Sequence, residues 1–220
     1  MSEKLALHTF PNGSLGCNCS LLYSPETREA IAIDPGNDAN FFLTQVQKLN
    51  LQVKYLLHTH AHFDHIGRSD SIKKLIGAPI HLHKGDLFLY EALPRQALFF
   101  GEDADQPQGI DHFIEDEEEY SLNLQDTNLK KVLKSIHTPG HTPGSCSFLC
   151  EMLDEPVLFS GDTLFANSIG RTDLPGGDYG QIIRSIKNRL LILDPETRVI
   201  PGHGPSTSLH YEKRNNRFLK

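Results

Sequence analysis

The stretch His58-Thr-His-Ala-His-Phe-Asp-His65 decides both the fold and the chemistry of this sequence. Within it the pattern His-x-His-x-Asp-His is formed by His60, His62, Asp64 and His65. Neutral imidazole and carboxylate are ligands that zinc, iron and manganese accept. Four ligands in so short a segment are too dense for one tetrahedral ion with an open position. The stretch therefore predicts half of a two-metal site and, with it, a metallohydrolase.

Three further fragments share one form, in which a strand leads into a tight turn that carries one potential ligand. Proline and glycine fix such turns and allow close approach of the backbone. The three potential ligands are His141 in Thr138-Pro-Gly-His-Thr-Pro-Gly-Ser145, Asp162 in Phe159-Ser-Gly-Asp-Thr163, and His203 in Ile200-Pro-Gly-His-Gly-Pro205. Together with the first four, they give five histidines and two aspartates. That set fits two ions with three terminal ligands each and one bridging carboxylate, about 3.5–4 Å apart.

The ligand set also limits the metal and the reaction. It contains no thiolate, so zinc, iron and manganese all fit it, and zinc is the first expectation. Two divalent ions carry four positive charges, of which two carboxylates and one hydroxide cancel three. The remaining positive charge suits an oxyanion that forms in a transition state.

Composition excludes several other classes of protein. The chain has 220 residues, which suits a single domain spanning residues 1–220, and 38% of them are hydrophobic with no apolar run of 18, so we expect no membrane association. A net charge of −7 argues against nucleic acid as the main partner. The N-terminus has no signal-peptide pattern, and the four cysteines have neither zinc-finger nor disulfide-scaffold spacing. We therefore predict a cytoplasmic protein with buried, reduced thiols.

Hydrophobic periodicity predicts the order strand-rich, helix, strand, helix, then strand-rich and helix again. Strands are expected at residues 5–10, 17–23, 29–34, 53–57, 129–136, 146–150, 156–160 and 198–200, and helices near residues 42–49, 66–76, 87–93 and 179–193. Asp178, with Gln181 three residues on, resembles a capping box for the last helix, which Pro195 ends. The acidic run Glu115–Glu119 is expected to be a solvated surface. Two sheets covered on the outside by helices would satisfy this order.

The other seven histidines are expected to be structural. His58 lies at the same strand end as the motif but outside it, so we expect a structural or supporting role. His137, four residues before His141, is expected to pack. No partner pattern surrounds the remaining five, which are His8, His81, His83, His112 and His210.

The sequence resembles the metallo-β-lactamase superfamily and, within it, the glyoxalase II-like hydrolases. The resemblance rests on Thr59–Gly67, Gly140–Gly144, Ser160–Phe165, Gly170–Asp173 and Pro201–Gly204. It implies an α+β fold, a four-layer αββα sandwich with the site at one edge of the two sheets. It also implies that the first metal is held by His60, His62 and His141, the second by Asp64, His65 and His203, with Asp162 bridging them. The C-terminal glutathione-binding helical domain of longer members is not expected here.

The resemblance implies hydrolysis of an anionic thioester such as S-lactoylglutathione. A metal-bridging hydroxide held by Asp64 would attack the carbonyl, and a thiolate with a parent pKa near ~8.5 would leave without a dedicated acid. Arg171 could meet a substrate carboxylate, and Lys220, with Lys213, Arg214 and Arg217, could steer the anion. The alternative for Arg171 is a surface salt bridge, and the alternative for the other four cations is a solvated helix face.

Three other functions stay open at this point. A persulfide dioxygenase with a single iron is similar in size and in the Gly170–Asp173 turn. A lactonase or phosphodiesterase would use the same fold, and a metal-binding module without turnover would have a closed site. The sequence leaves the oligomeric state open.

Overall fold

Two six-stranded β-sheets lie face to face in the computed structural model, which describes residues 4–125 and 129–220. Residues 1–3 and 126–128 of the single domain predicted over residues 1–220 lie outside the described ranges. The first sheet contains, in spatial order, β1 (Ala6–Asn12), β2 (Cys17–Tyr23), β3 (Glu29–Ile33), β4 (Gln52–Leu57), β5 (Ile80–Leu82) and β6 (His112–Phe113). Its first three strands are antiparallel, and β3 to β6 are parallel.

The second sheet is mostly antiparallel, with one parallel pair that brings two ligand turns together. In spatial order it contains β14 (Thr207–Ser208), β13 (Arg198–Pro201), β10 (Val157–Gly161), β9 (Cys146–Cys150), β8 (Leu129–His137) and β7 (Glu119–Asn123). Because β10 and β13 are parallel, the turns that follow them lie at the same edge of the sheet. A separate hairpin is formed by β11 (Leu164–Phe165) and β12 (Ser168–Ile169).

Helices cover the outer face of each sheet. The first sheet is covered by α1 (Ala39–Lys48), α3 (Ser69–Ile76), α4 (Leu87–Glu91) and α5 (Leu93–Phe99), with the single turn α2 (Phe63–Ile66) at the site edge. The second is covered by α6 (Tyr179–Ser185) and α7 (Leu209–Asn215). Short 3₁₀ turns occupy Lys84–Asp86 and Arg217–Leu219. No helix within the described ranges is long and apolar enough to cross a bilayer.

The alternation of side chains along the central strands explains the four layers. In β3, Ala30 and Ala32 pack under the helices, while Ile31 and Ile33 face the other sheet. In β10, Leu158 faces the helices, while Phe159 lies in the core between the sheets. Strands that are buried on both faces are apolar at nearly every position, as these are. The predicted four-layer αββα sandwich is therefore confirmed.

Three predicted helices differ from those observed. The predicted helix over residues 87–93 ends at Glu91, and a second helix, α5, begins at Leu93. The predicted helix over residues 66–76 is two helices, because the chain breaks at Gly67 and Arg68. A Cβ on Gly67 would lie 2.3 Å from Asn37 Oδ1, so this break packs directly on the turn after β3. The predicted helix over residues 179–193 leaves regular geometry after Ser185 and continues as a π-helical turn over Ile186–Leu190.

Several smaller predictions agree with the structure. The carboxylate of Asp178 accepts a hydrogen bond from the Gln181 backbone N–H at 2.8 Å and so caps α6, but the Asp178 backbone N–H donates to Gly140 O, so the second half of the predicted capping box does not form. The acidic run is largely exposed and pairs with surface cations such as Arg189. All four cysteines are buried free thiols.

Candidate metal centre

The residues predicted to bind metal converge at one edge of the sandwich. His60 and His62 lie in the loop after β4, and Asp64 and His65 lie in α2. The other three residues come from the turns after β8, β10 and β13, and are His141, Asp162 and His203. Backbone hydrogen bonds join the two sheets at this edge, from Cys146 N to Thr59 O and from Asn18 N to Gly202 O, each at 2.7 Å.

Three imidazoles form the first group of donor atoms. The Nδ1 of His62 lies 3.1 Å from the Nε2 of His60 and 3.0 Å from the Nε2 of His141. All three nitrogens lie within 4.8 Å of one another. Three nitrogen lone pairs at this spacing surround one point and match the spacing of ligands on a single cation.

A carboxylate and two imidazoles form the second group. The Oδ2 of Asp64 lies 2.9 Å from the Nε2 of His203 and 3.6 Å from the Nε2 of His65. The two imidazole nitrogens are 3.3 Å apart. The structure thus brings together the same two sets of three residues that the resemblance implies.

Asp162 lies between the two groups. Its Oδ2 is 3.7 Å from the Nε2 of His141 in the first group, and its Oδ1 is 3.5 Å from the Nε2 of His65 in the second. The Oδ1 atom is buried and has no hydrogen-bond partner in the described parts of the chain. A buried, unpaired carboxylate oxygen is costly unless a cation or donor occupies the adjacent space. The donor set therefore fits a pair of divalent cations.

Gly202 makes room for this arrangement. A Cβ at this position would lie 2.1 Å from Asp162 Oδ1 and 2.7 Å from the Cε1 of His65. The turn after β13 can approach the other donor atoms only because residue 202 has no side chain.

Hydrogen bonds on the outer side of the imidazoles fix their tautomers. His141 Nδ1 donates to Arg171 O at 2.8 Å, and His203 Nδ1 donates to Leu15 O at 3.1 Å. With its proton on Nδ1, each ring presents a bare Nε2 to the site.

Asp34 and Thr59 perform the same task for two of the other three rings, His65 and His60. His65 Nδ1 donates to Asp34 Oδ2 at 3.0 Å. The hydroxyl of Thr59 donates to the same oxygen at 2.7 Å and can therefore accept from His60 Nδ1, which is 3.0 Å away. Four of the five imidazoles are thus oriented with Nε2 toward the site.

Burial and charge lower the pKa values of three donor residues, His60, His62 and Asp64, and raise those of His65 and His203. Burial, reinforced by the neighbouring imidazoles, holds the pKa of His60 well below its usual range and lowers the pKa of His62 to about 3. Burial alone would raise the pKa of Asp64, but His65 and His203 lower it. Burial opposes protonation of His65, but Cys17 and the surrounding carboxylates raise its pKa well above its usual range. A cation would replace that proton.

Sequence reasoning missed Asp34. It follows β3 directly, and β3 is the parallel neighbour of β4, whose end carries the histidine motif. Its backbone lies in the left-handed region with φ +49°, and both of its oxygens accept hydrogen bonds from Thr59. Strain of this kind in a non-glycine residue is typical of functional sites. An aspartate at the end of an adjacent parallel strand was the available signal in the sequence.

The two residues predicted to bind substrate differ in their relation to the site. The carbonyl of Arg171 contacts His141, but its exposed guanidinium makes a bidentate ion pair with Asp173 at 2.8 Å. Lys220 is exposed at the end of the chain, and the preceding 3₁₀ turn packs beside β12, which leads into Arg171. Nothing in the described geometry joins Lys220 directly to the donor atoms.

Two histidines expected to be structural do not belong to the donor groups. His58 is fully buried, with Nδ1 donating to His81 O at 2.9 Å and Nε2 accepting from the hydroxyl of Ser69 at 2.7 Å. His137 donates from Nε2 to Pro143 O at 2.9 Å and stacks on His83. Both predictions are confirmed.

The fold and the convergence of histidines and aspartates at one sheet edge define a metallo-hydrolase of the αββα type. The sequence profile of the metallo-β-lactamase superfamily matches residues 12–203, a range that contains every donor residue described above. The chain belongs to the metallo-β-lactamase superfamily.

Three individual proteins illustrate its place in that superfamily. The hydroxyacylglutathione hydrolase GloC of Haemophilus influenzae is 41% identical over 207 residues, covering 92% of each chain. The crystal structure of the BLEG-1 B3 metallo-β-lactamase is 38% identical, with a TM-score of 0.85 over 97% of this chain and 99% of that one. The protein TTHA1623, solved in a di-iron-bound form, is 36% identical, with a TM-score of 0.84 over 96% of this chain and 100% of that one.

Proposed function

We propose that this protein is a binuclear metal-dependent thioesterase that hydrolyses anionic thioesters of the S-lactoylglutathione type. The observation that carries the proposal is the pair of donor groups with the unpartnered Oδ1 of Asp162 between them. In this assignment His60, His62 and His141 hold one ion, and Asp64, His65 and His203 hold the other. Zinc is the expected metal, and the di-iron form of a relative makes iron the first alternative.

The bound ions would lower the pKa of a water molecule and polarise the carbonyl oxygen of the substrate. The protein's own residues then control orientation and charge. The depressed pKa of Asp64 keeps its carboxylate ionised at neutral pH, so it can accept a hydrogen bond from the attacking water. Asp34, Thr59, Leu15 and Arg171 keep the imidazoles in place through their outer nitrogens.

The outer hydrogen bonds of the imidazoles favour a thioester over an amide as the substrate. His60, His65, His141 and His203 each engage Nδ1 on the outer side, so none of them brings a spare proton to a leaving group. A thiolate with a parent pKa near ~8.5 departs without one, whereas an amine does not. The GloC relative, whose name describes a glutathione thioester hydrolase, supports the same substrate class.

A second candidate is β-lactam hydrolysis, favoured by the similarity to the BLEG-1 enzyme. Opening a lactam produces an amine, and the committed Nδ1 protons of His60, His65, His141 and His203 argue against this reaction. Persulfide oxidation with a single iron is a further alternative and would require oxygen as a co-substrate, and a lactonase, a phosphodiesterase and a metal-binding module without turnover also stay open.

The test is a substrate panel with protein reconstituted separately with zinc, iron and manganese. S-lactoylglutathione, a β-lactam, a lactone, a phosphodiester and glutathione persulfide would be compared, with oxygen uptake recorded for the last. We expect kcat/KM for the thioester to exceed that for every other substrate by at least about 100-fold. If protein with two bound ions hydrolyses no thioester, the proposed substrate class is wrong, but the fold assignment still holds.

A further inference from the structure

A fully buried carboxylate outside the donor groups connects the two loops of the first group. Asp86 lies in the 3₁₀ turn after β5 and is 0% exposed. Its Oδ2 accepts hydrogen bonds from Ala61 N at 3.0 Å and from Thr142 Oγ1 at 2.7 Å. Its Oδ1 accepts from Gly144 N at 2.6 Å.

The partners of Asp86 are the immediate neighbours of three imidazoles. Ala61 lies between His60 and His62, and Thr142 follows His141 directly. Asp86 therefore fixes, with one rigid group, the relative position of two loops that come from different sheets. Metal affinity depends on such placement, because the ligands must converge within about 0.5 Å.

Two glycines allow the close packing around Asp86. A Cβ on Gly144 would lie 2.7 Å from the carboxyl carbon of Asp86, and a Cβ on Gly85 would lie 3.0 Å from the backbone of Gly144. The two turns therefore meet through backbone and carboxylate alone, and both glycines are needed for this approach.

The second group has a different support. His65 is oriented by Asp34, Asp64 contacts His203, and His203 donates to Leu15 O. None of the hydrogen bonds that the described residues make to Asp86 involves these elements. Asp86 thus supports the first group alone, whereas Asp34 supports the second group directly through His65 and reaches the first group only through Thr59 and His60.

We propose that Asp86 is a positioning residue that sets the metal affinity of the His60, His62 and His141 group independently of the other group. The inference rests on the proposed two-ion assignment. In Asp86→Asn an amide N–H would replace one acceptor oxygen and face a backbone N–H or the Thr142 hydroxyl. Loss of such an outer support typically weakens metal binding 10- to 100-fold.

The experiment is a chelator titration of the zinc-loaded protein, with the zinc-to-protein ratio followed at each step. Wild type should retain two ions, and Asp86→Asn should release one of them at about 10- to 100-fold lower chelator activity while retaining the other. The matched control is Asp70→Asn, since Asp70 is also a buried carboxylate, 3% exposed, but accepts its hydrogen bond from Tyr90. The control should titrate as wild type does.

Thr142→Val provides a second variant that preserves size and removes one of the three hydrogen bonds. It should weaken the same single ion by roughly 3- to 10-fold, and it decides the question if Asp86→Asn does not fold. Two ions held as tightly as in wild type, or equal weakening of both ions, would overturn the inference. A wild-type ratio of one would overturn the two-ion assignment itself and this inference with it.

Discussion

The Nδ1 of His65 donates a hydrogen bond to the Oδ2 of Asp34 at 3.0 Å, and both side chains are almost completely buried. The opposite nitrogen of the same ring points at Asp64, Asp162 and His203. A carboxylate behind an imidazole fixes its tautomer and makes it a better electron-pair donor. The second donor group thus depends on a residue that touches none of the other donor atoms directly.

Asp34→Asn should therefore weaken zinc binding by about 10- to 100-fold, mainly at the second group. The amide can still accept one hydrogen bond from Thr59, but it cannot accept all those that reach the carboxylate. Competition with a chromogenic chelator measures the change. Asp38→Asn is the control, because the Asp38 side chain caps α1 and an asparagine also caps helices well. Equal affinities in the two variants would contradict the role of Asp34.

Substitution of His141 should separate a donor residue from a packing residue at the end of the preceding strand, His137. His141→Ala should lower the zinc-to-protein ratio from two toward one and reduce thioester hydrolysis by at least about 1,000-fold, because the first group loses one of three donors. His137→Ala, which loses only a hydrogen bond to Pro143 O and a ring stack, should retain both ions. Atomic absorption on the purified variants gives the ratio, and a full ratio in His141→Ala is the result that opposes the assignment.

Gly202→Ala tests the close approach of the last turn to the bridging carboxylate. Its Cβ would lie 2.1 Å from Asp162 Oδ1, so the turn or the carboxylate must move, at a cost of about 1–3 kcal/mol in the free energy of unfolding. Bound metal should be lost along with this stability. Gly180→Ala is the control, since the nearest atom to its Cβ is the flexible end of Arg184 at 3.1 Å. Thermal unfolding with and without zinc measures both effects, and a Gly202→Ala protein with unchanged metal content would be unexpected.

His81 should make the apo protein less stable in acid. Burial, assisted by the neighbouring His112, lowers the pKa of His81 to about 4, whereas the unfolded chain has a value near 6.5. Between these values the unfolded state binds a proton that the native state does not, so stability falls as the pH decreases from 6.5 to 4. The loss is about 3 kcal/mol at pH 4.

His81→Phe removes this proton linkage. The free energy of unfolding of the variant minus that of wild type should increase by about 3 kcal/mol as the pH falls from 7 to 4. Urea denaturation with a chelator present keeps both proteins metal-free and measures the difference at each pH. A difference that does not change with pH would mean that His81 titrates normally in the folded protein.

Arg171→Ala tests the proposed contact with the substrate. The ion pair of Arg171 with Asp173 is exposed, so its loss should change the free energy of unfolding little and leave both ions bound. If the guanidinium exchanges Asp173 for a substrate carboxylate, KM should rise about 10-fold with little change in kcat. The same measurement on Lys220→Ala tests the more distant cation. An unchanged KM in both variants would leave substrate recognition to other residues.

The sequence predicted the fold and the donor residues because both depend on local patterns. The alternation in β3 and the His-x-His-x-Asp-His motif can be recognised within a few residues, and each proline–glycine turn marks the end of a strand. The interruption at Gly67 could not be predicted, because it depends on contact with Asn37 in a distant turn.

The supporting carboxylates were missed for the same reason. Asp34 and Asp86 carry no local motif, and their roles appear only when the ends of β3, β4 and β5 are adjacent and the turn after β8 folds over them. Single aspartates near turns are common, so only the three-dimensional contacts distinguish these two. For Arg171 the sequence left open a substrate contact or a surface salt bridge, and the structure contains an ion pair with Asp173.

The most direct test of the two-ion centre is anomalous diffraction at the zinc edge from crystals grown with excess zinc. We predict two peaks, one among His60, His62 and His141 and one among Asp64, His65 and His203, with Asp162 in contact with both. A single peak, or a peak at the buried Cys17, Asp34 and His65 cluster, whose donor atoms also lie within 4.8 Å of one another, would contradict the account.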